Sequence, residues 1–555
     1  MRVFARKSLG LFLSYLLVIA VFMLGCQSNQ GGTAAPSQTD GAKPDAASAT
    51  TAKTVSELKI GLPTDAGPLN IYTGNIDYLT ELVFDKLFSP SPYVDKPQPW
   101  LAESAQQLDD LTWVVKIRSG IKWHDGTPFT AEDVKFTYEY YRDGPANRHT
   151  HHVSEVPHIE KIELDDPSTV RFTCAYACPT LDKITFADLP ILPKHIWEKV
   201  QNPRKYTELP IGTGPYKLVE YKADQYYKFE ANKDYFMGSP LVDTLVMPVI
   251  KDPTAIFNAL RSGEIDISAR PIPAELQASF SNLPNMRVVE TAPLSLIELK
   301  LNYDKAPFNQ EAFRNAMSLA VDRQAISDTV LLGQGRPGLK GYPHPDSPWT
   351  NPNLSTPYDV EKAKTVLDGL QFVDKNQDGV RETADGKELS FSLKVPSTEP
   401  QWIRAAEMLK EQYAKVGIKV KVEVLDSGTM ATVSQTRDFD LVISNIGAHG
   451  VADPDQFVMS HRSSYLWNKD IPYPAMDELT KKWMAETSVD KRKEIAFQMQ
   501  ELFNKQPTSI VLYYPEEKFA FRSEKFDQWV ESPGFGIINK YSLLPDEVKK
   551  AVAKQ

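Results

Sequence analysis

The stretch SGIKWHDGTPFTAEDV, residues 119–134, decides the fold. Its Asp-Gly-Thr-Pro run, residues 125–128, has the composition of a tight turn. Thr130 then precedes a helical pattern whose first turn carries Glu132 and Asp133. A threonine before a helix and acids in its first turn are the groups that satisfy and neutralise a helix N-terminus. The stretch therefore predicts a turn that leads directly into a capped helix.

On both sides of this stretch, strand patterns alternate with helix patterns. Apolar residues at every second position predict strands at residues 58–62, 113–117, 169–173, 226–230 and 294–301. Helical spacing predicts helices at residues 77–88, 131–141, 255–262, 310–332, 360–370, 401–416 and 491–504. This alternation predicts an α/β fold with mixed sheets.

The composition of the 555 residues narrows the class of protein. Hydrophobic residues make up 42% and charged residues 24%, which excludes a disordered chain or a multi-span membrane protein. The chain has 62 basic and 72 acidic residues, a net charge of −10. Because nucleic-acid binding depends on neutralising phosphates, we expect no nucleic-acid partner.

The first 25 residues have the pattern of an export signal. Arg2, Arg6 and Lys7 form a basic start, and an apolar run at residues 9–24 ends at Gly25 and Cys26. The run is shorter than a membrane-spanning helix needs, so we expect cleavage, with an uncleaved anchor helix as the alternative. Residues 27–53 are polar and contain no aromatic residue, which predicts a flexible linker. Without residues 1–25 the chain carries 59 basic and 72 acidic residues, a net charge of −13.

The usual catalytic motifs are missing from the exported part. It contains no G-x-S-x-G, H-E-x-x-H or C-x-x-C motif and no Walker A phosphate loop. Residues 333–338 match G-x-G-x-x-G, but they follow a helical pattern and precede proline-rich sequence. A dinucleotide site needs a strand before the glycines and a helix after them, so we interpret this match as a loop.

Three groups of residues could bind metal or form a covalent link. Cys174 and Cys178 predict a disulfide, with two free thiols as the alternative, because thiols outside the cytosol tend to oxidise. Histidines are dense between residues 149 and 158, which fits either a Zn²⁺ or Ni²⁺ site or a solvated loop. These histidines are His149, His151, His152 and His158, with Glu155 between them.

The third group imitates a calcium-binding loop. Asp374, Asn376, Asp378 and Glu382 occupy positions 1, 3, 5 and 9 of such a loop, and glycine occupies position 6. Asp385 replaces the usual glutamate at position 12. The loop is therefore either a structural Ca²⁺ site or a turn rich in aspartate and glycine. We expect no other cofactor.

Five motifs in the same order resemble the family 5 extracellular solute-binding proteins, the oligopeptide and dipeptide receptors of bacterial ABC importers. The most specific is the stretch at residues 119–134. The others lie at residues 212–216 with 232–236, 308–323, 358–363 and 453–457. Residues 23–26 resemble a lipobox, which implies acylation of Cys26 and a membrane-anchored, extracytoplasmic lipoprotein.

The resemblance implies a two-lobed periplasmic-binding-protein-like fold with a hinge and an extra small domain, three structural domains of the cluster C type. The implied first lobe is residues 54–90, 190–293 and 510–555; the additional domain is 91–189; the second lobe is 294–509. The implied hinge crossings are residues 290–297 and Ser509–Pro515. The implied partners are a small-molecule or peptide ligand and the membrane permease subunits of an ABC importer, and we expect a monomer.

The ligand class depends on a few residues. Peptide-binding members of the family carry an acid just before the Asp-Pro-Asp stretch, but residues 447–452 contain His449 and no carboxylate. A neutral imidazole supplies no countercharge for an amine. Arg404 lies where some relatives bind a ligand carboxylate, with a solvated arginine as the alternative. The aromatic residues expected near the pocket are Trp402, Tyr465, Trp467, Tyr513 and Tyr514.

The sequence thus predicts a receptor that captures a small solute, with an oligopeptide or dipeptide as the favoured ligand. It does not predict an enzyme. The same fold could instead bind a nickel chelate, an oligosaccharide or an opine. An exported metalloenzyme that uses the histidines at residues 149–158 is the competing class. No nucleophile or paired catalytic group accompanies those histidines, which favours the receptor.

Overall fold

The computed structural model of the protein describes residues 54–73, 77–92, 97–145, 159–291, 295–339, 343–355, 357–446, 473–532 and 536–554. The predicted export signal and linker lie outside these residues. The strands are β1 (Val55–Gly61), β2 (Phe88–Ser89), β3 (Gln98–Pro99), β4 (Ala102–Gln107), β5 (Thr112–Ile117), β6 (Ile159–Asp166), β7 (Thr169–Cys174), β8 (Tyr216–Lys222), β9 (Tyr226–Ala231), β10 (Val242–Pro248), β11 (Ile267–Ser268), β12 (Met286–Thr291), β13 (Leu296–Leu301), β14 (Gly335–Pro337), β15 (Ser390–Pro396), β16 (Lys419–Leu425), β17 (Leu441–Ile446), β18 (Ser509–Pro515) and β19 (Glu517–Arg522).

The α-helices are α1 (Asp77–Val83), α2 (Ala131–Asp143), α3 (Thr185–Asp188), α4 (Lys194–Trp197), α5 (Pro253–Ser262), α6 (Gln277–Ser281), α7 (Glu311–Leu319), α8 (Arg323–Leu331), α9 (Val360–Gly369), α10 (Pro400–Ala414), α11 (Ser427–Thr436), α12 (Pro474–Ala485), α13 (Val489–Lys505), α14 (Lys540–Leu543) and α15 (Asp546–Ala553). Short 3-10 helices are formed by Pro203–Lys205 and Ala274–Leu276.

The first lobe is built on a seven-stranded mixed sheet in the order β12-β19-β11-β1-β10-β9-β8. Strand β1 pairs in parallel with β10 and β11, and the other pairs in this sheet are antiparallel. A four-stranded antiparallel sheet, β4-β5-β7-β6, packs on this lobe. Phe229 of the first sheet and Phe172 of the second are fully buried in one hydrophobic cluster, so the two sheets share a core.

The second lobe is built on a six-stranded mixed sheet in the order β14-β18-β13-β17-β15-β16. Its core is a separate cluster in which residues of β13 and β15 pack against α7, α8 and α10. Leu299, Phe313, Ile326 and Leu409 are fully buried there. Two sheets with separate cores confirm the predicted two-lobed α/β architecture.

The chain passes between the two sheets twice, after β12 and after β18. Strand β18 lies inside the second-lobe sheet, where it pairs with β13 and β14. The predicted first-lobe boundary at residue 510 is therefore wrong for this strand, and the second crossing is at Glu516 rather than within Ser509–Pro515. An extended apolar run does not reveal from sequence alone which sheet it joins.

The stretch at residues 119–134 folds as its composition predicts. Asp125 Oδ1 accepts a hydrogen bond from the Thr127 amide at 3.0 Å, and Gly126 has a φ of 89°, a conformation that suits glycine. Thr130 and Asp133 form a reciprocal capping box at the start of α2, in which the Thr130 amide donates to Asp133 Oδ2 at 2.8 Å. Local hydrogen bonds thus define this unit.

The same stretch attaches to the second motif through a buried histidine. His124 Nδ1 accepts from the Gly212 amide at 3.3 Å, while Nε2 lies 2.9 Å from the Gly214 carbonyl oxygen. Burial lowers the pKa of His124 to about 4, so the neutral ring accepts at one nitrogen and donates at the other. The two family motifs therefore act together as scaffold.

The helix predicted at residues 310–332 is instead two helices, α7 and α8. Asp322 ends the continuity because its Oδ1 accepts a hydrogen bond from the Ala325 amide at 3.0 Å and caps α8. Residues 333–338, which match the glycine pattern, include the edge strand β14, antiparallel to β18. A Cβ atom on Gly338 would lie 2.1 Å from the Val511 carbonyl oxygen, so this glycine permits close backbone packing.

Candidate functional site

A cavity of about 300 Å³ lies between the two lobes. This volume is at the lower end of the range for small-molecule pockets. First-lobe residues that line it are Pro253, Phe257, Arg270, Pro271, Ile272, Pro273, Ala274, Glu275, Gln277 and Glu517. The second lobe and the crossing contribute Ser295, Ile297, Leu331, Gln334, Glu399, Pro400, Gln401, Trp402, Asn445, Tyr513, Pro515 and Glu516. Both lobes and both chain crossings therefore contribute to one site.

An ion pair crosses this cavity. Arg270 follows the buried strand β11 in the first lobe, and Glu399 precedes α10 in the second. Their atoms Nη2 and Oε1 are 3.0 Å apart, and Nη1 and Oε2 are 3.3 Å apart. Arg270 Nη2 also donates to the Thr398 carbonyl oxygen at 3.0 Å. The planar guanidinium thus holds the lobes together with paired, charge-assisted hydrogen bonds.

A second polar contact between the lobes lies nearby. Gln277 Nε2 of α6 donates to Gln334 Oε1, which lies just before β14. Because both residues line the cavity, the lobes meet at its wall as well as at the chain crossings.

Aromatic side chains from two second-lobe elements face the cavity. Trp402, in the first turn of α10, is half-buried and also packs on the second-lobe core. Tyr513 of β18 is only 1% exposed. Burial, together with the charge of Glu399, raises the pKa of Tyr513, so its hydroxyl stays protonated. These rings give the cavity apolar walls that carry a polar group.

The electrostatic character of the cavity is acidic. Its described lining contains the carboxylates Glu275, Glu399, Glu516 and Glu517 and one cation, Arg270. Burial raises the pKa of Glu517 to about 7. Because the other three carboxylates outnumber Arg270, the cavity still holds more negative than positive charge at neutral pH.

This inter-lobe site agrees with a family comparison. The model for bacterial extracellular solute-binding proteins, family 5 Middle, matches residues 96–469. The chain belongs to this family. As a family 5 solute-binding protein it has the two-lobed fold that the sequence predicted.

Its similar proteins include peptide receptors. The oligopeptide-binding protein AppA of Bacillus subtilis is 29% identical over 542 residues, which cover 93% of this chain and 95% of AppA. Di/tripeptide-binding protein 1 of Pseudomonas aeruginosa is 28% identical over 431 residues, 72% of this chain and 76% of that protein.

Solved structures show the same fold with different ligands. AppA in complex with a nonapeptide has a TM-score of 0.79 and 26% identity, over 89% of this chain and 99% of AppA. NikZ from Campylobacter jejuni in complex with Ni(L-His) has a TM-score of 0.78 and 24% identity, over 88% of this chain and 99% of NikZ. The NikZ likeness shows the fold alone.

The structure separates the predicted ligand-binding residues of this family 5 protein. Trp402 and Tyr513 line the cavity. Arg404 is exposed and is not among the lining residues, and its Nη1 lies 3.4 Å from the Thr329 carbonyl oxygen. Two residues along a helix is a rotation of about 200°, so Arg404 projects away from the side that Trp402 occupies. The geometry favours Arg270 over Arg404 as the guanidinium that faces a ligand.

Several other predictions lie outside the described residues. These are His449, Tyr465, Trp467, the histidines at residues 149–158, and Cys26. Tyr514 is described, but it is buried and its hydroxyl donates to the Pro343 carbonyl oxygen at 3.1 Å, so it belongs to the core of the second lobe. Within the described ranges, no helix is long and apolar enough to cross a membrane.

The structure also describes the cysteine pair and the calcium-like loop. Cys174 and Cys178 are joined by a disulfide, with their Cα atoms 6.4 Å apart at the end of β7. In the calcium-like loop, Asp374 Oδ2 accepts from the Gly379 amide and Asn376 Oδ1 from the Asp378 amide, both at 2.9 Å.

Further along that loop, Glu382 Oε2 accepts from the Lys375 amide at 2.8 Å. In the described part of the chain, no group of three or more histidine, cysteine or acidic residues is placed to hold a metal. These hydrogen bonds are those of a turn rich in aspartate and glycine, and Ca²⁺ binding by this loop stays a prediction.

Sequence reasoning missed Arg270, Glu399 and Glu517. One signal was present: Arg270 is followed by the Pro271-Ile272-Pro273 run after a short buried strand. A charged residue in a rigid loop at the carboxyl end of a strand is a typical position for a binding residue. Glu399 and Glu517 carry no comparable local signal.

Proposed function

We propose that this family 5 protein is the receptor of an ABC importer and captures a short peptide between its two lobes. The observation that carries the proposal is the cavity to which both lobes and both chain crossings contribute. Closure of two lobes around a ligand is a general device of binding proteins. The similar AppA and di/tripeptide-binding proteins support a peptide as the ligand. No catalytic role is proposed.

The proposal includes the place where the protein acts. The family is extracellular, and the signal-like residues 1–25 followed by Cys26 support a lipid-anchored receptor on the outer side of the membrane. The polar composition of residues 27–53, with no aromatic residue, predicts a linker between such an anchor and the folded part. We propose that a monomer delivers the ligand.

Calorimetry on the mature protein tests the proposal. Di-, tri- and tetrapeptides are titrated alongside a nickel–histidine chelate and mannohexaose. Saturable binding of one peptide per chain is expected. If only the chelate or the sugar binds, the ligand proposal is wrong and the receptor fold carries a different solute.

A series of variants tests whether the peptide binds in the cavity between the lobes. Trp402→Ala should weaken binding about tenfold, because a stacked or packed indole contributes roughly 1–2 kcal/mol. Lys410→Ala is the matched control, since Lys410 is exposed on the same helix and pairs with Glu407. Arg404→Gln should bind like wild type. A large loss in Arg404→Gln with none in Trp402→Ala would show that the ligand lies elsewhere.

A further inference from the structure

Glu517 lies where the two lobes meet. It is the first residue of β19, directly after the crossing residue Glu516, and it pairs with Thr291 at the end of β12. Thr291 Oγ1 donates to the Glu517 carbonyl oxygen at 3.3 Å. The backbone of Glu517 is therefore fixed to the strand that leads into the other crossing, and its side chain lines the cavity.

The carboxylate of Glu517 has no hydrogen bond or ion pair with the residues that the structure describes. Its neighbour Lys518 pairs with Glu290, with Nζ and Oε2 3.4 Å apart, and successive strand residues face opposite sides of a sheet. Arg270, the cation of the described lining, is engaged by Glu399. A half-buried carboxylate is thus left facing the cavity without a countercharge, which is unfavourable until a cation arrives.

A second group in the same cavity also lacks a partner. Tyr513 is only 1% exposed, and its buried hydroxyl makes no hydrogen bond with any described residue. Buried hydroxyls nearly always have a partner, and Tyr513 lines the cavity, so its unbonded hydroxyl is available to a polar group of a bound ligand. This observation is independent of the acidic charge.

We propose that Glu517 is the ammonium-binding residue of this receptor, with the Tyr513 hydroxyl as a second polar contact for the same ligand. The inference rests on the proposed function and deepens it. Residues 447–452 offer no carboxylate for an amine, whereas Glu517 offers one from the junction of the lobes. A cation bound to Glu517 lies beside Glu516, where the chain passes between the lobes. Binding of a positively charged ligand would therefore favour closure of the lobes.

Burial of Glu517 supports this assignment. It raises the pKa of this carboxyl to about 7, so a bound cation would favour the ionised form. The other ionisable groups that line the described cavity are Glu275, Glu399, Glu516, Arg270 and Tyr513. Their net charge is negative, which favours the same class of ligand.

The ammonium group can belong to a peptide N-terminus or to a lysine side chain. One tripeptide sequence with lysine or norleucine at its second position, each with a free or an acetylated N-terminus, separates these sources. The four peptides are mixed in equal amounts with wild-type protein, Glu517→Gln or the control Glu264→Gln, and bound peptide is counted by native mass spectrometry. Glu264 is exposed and is not a lining residue.

Wild type and Glu264→Gln should favour the peptides that carry the recognised ammonium group at least about tenfold over those that lack it, the usual effect of a charged hydrogen bond in a cavity. Loss of preference on acetylation assigns the N-terminus, and loss on replacing lysine assigns the side chain; either supports the inference. Glu517→Gln should bind all four peptides similarly.

Equal binding of the four peptides by wild type, or an unchanged preference in Glu517→Gln, overturns the inference about Glu517. The proposal that the protein is a peptide receptor is unaffected by either result. Binding of none of them overturns the inference and contradicts the peptide proposal as well. The wild-type comparison needs no variant, so poor folding of Glu517→Gln does not decide the outcome.

Discussion

Arg270 of the first lobe and Glu399 of the second are joined across the cavity by two hydrogen bonds, at 3.0 and 3.3 Å. Their side chains are 13% and 30% exposed, so solvent screens the pair only in part. The pair connects segments that are 129 residues apart. It therefore stabilises the observed contact between the two lobes in addition to lining the site.

Breaking this pair should open the lobes. Arg270→Gln should shift the unliganded protein toward an open form by about 1 kcal/mol, roughly fivefold in population, because a partly exposed bidentate pair is lost. Small-angle scattering should show a larger radius of gyration. Arg287→Gln, which breaks the exposed first-lobe pair with Asp527, is the control. An unchanged radius in Arg270→Gln would show that the pair does not hold the lobes closed.

The free energy of unfolding of the unliganded protein should depend on pH through Glu517. Its folded-state pKa of about 7 lies above the ordinary value of 4.5, so the folded state binds this proton more tightly than the unfolded state does. The stabilisation is complete below about pH 4.5 and is lost as pH rises through 7.

Glu517→Gln should remove this loss. Relative to wild type, its melting temperature should rise as pH increases from 5 to 8, corresponding to a gain on the order of 1–3 kcal/mol. Differential scanning fluorimetry at several pH values measures this difference, with Glu264→Gln as the control. A constant difference between the variant and wild type across this range would contradict the raised pKa.

The pair of Asp85 and Lys540 should be essential for the first lobe. Both side chains are almost completely buried, and Lys540 Nζ lies 3.5 Å from Asp85 Oδ1 and 4.1 Å from the centre of the Trp100 ring. Lys540→Met would leave a buried carboxylate without its countercharge and should cost about 3–5 kcal/mol.

Chemical denaturation measures that loss. Asp85→Asn combined with Lys540→Met should recover part of it, because no unpaired charge remains. Lys481→Met, which removes an exposed helical pair with Glu478, should change stability by less than about 1 kcal/mol. Equal effects of Lys540→Met and Lys481→Met would refute a special role for the buried pair.

The disulfide should stabilise the end of β7 modestly. Closing a loop of five residues contributes about 2 kcal/mol by restricting the unfolded chain. Cys174→Ala with Cys178→Ala should lower the denaturation midpoint accordingly. Denatured wild-type protein that lacks Cys26 should have no titratable thiol; two thiols would show that the bond is absent from the purified protein.

Local features of the fold could be predicted from sequence, and long-range ones could not. The capping box of Thr130 and Asp133 uses residues three apart, so composition alone predicts it. The break at Asp322 was also local, and an aspartate that can cap the next turn was its signal.

The site depends on contacts that no short pattern records. Arg270, Glu399 and Glu517 meet only because two sheets with separate cores face each other. The resemblance implied a ligand near Arg404, and Trp402 was expected at the pocket because it lies two residues away. Trp402 does line the cavity, whereas Arg404, about half a turn further along the same helix, faces another surface.

Native mass spectrometry of the protein purified from its host without denaturation tests the central claim most directly. The account predicts one short peptide per chain, released on unfolding and identified by its fragment masses. Its occupancy should be lower in Trp402→Ala but unchanged in Lys410→Ala, as a roughly tenfold weaker affinity requires. A co-purified nickel chelate or sugar, or a peptide retained equally by both variants, would contradict the capture of a peptide in the cavity between the lobes.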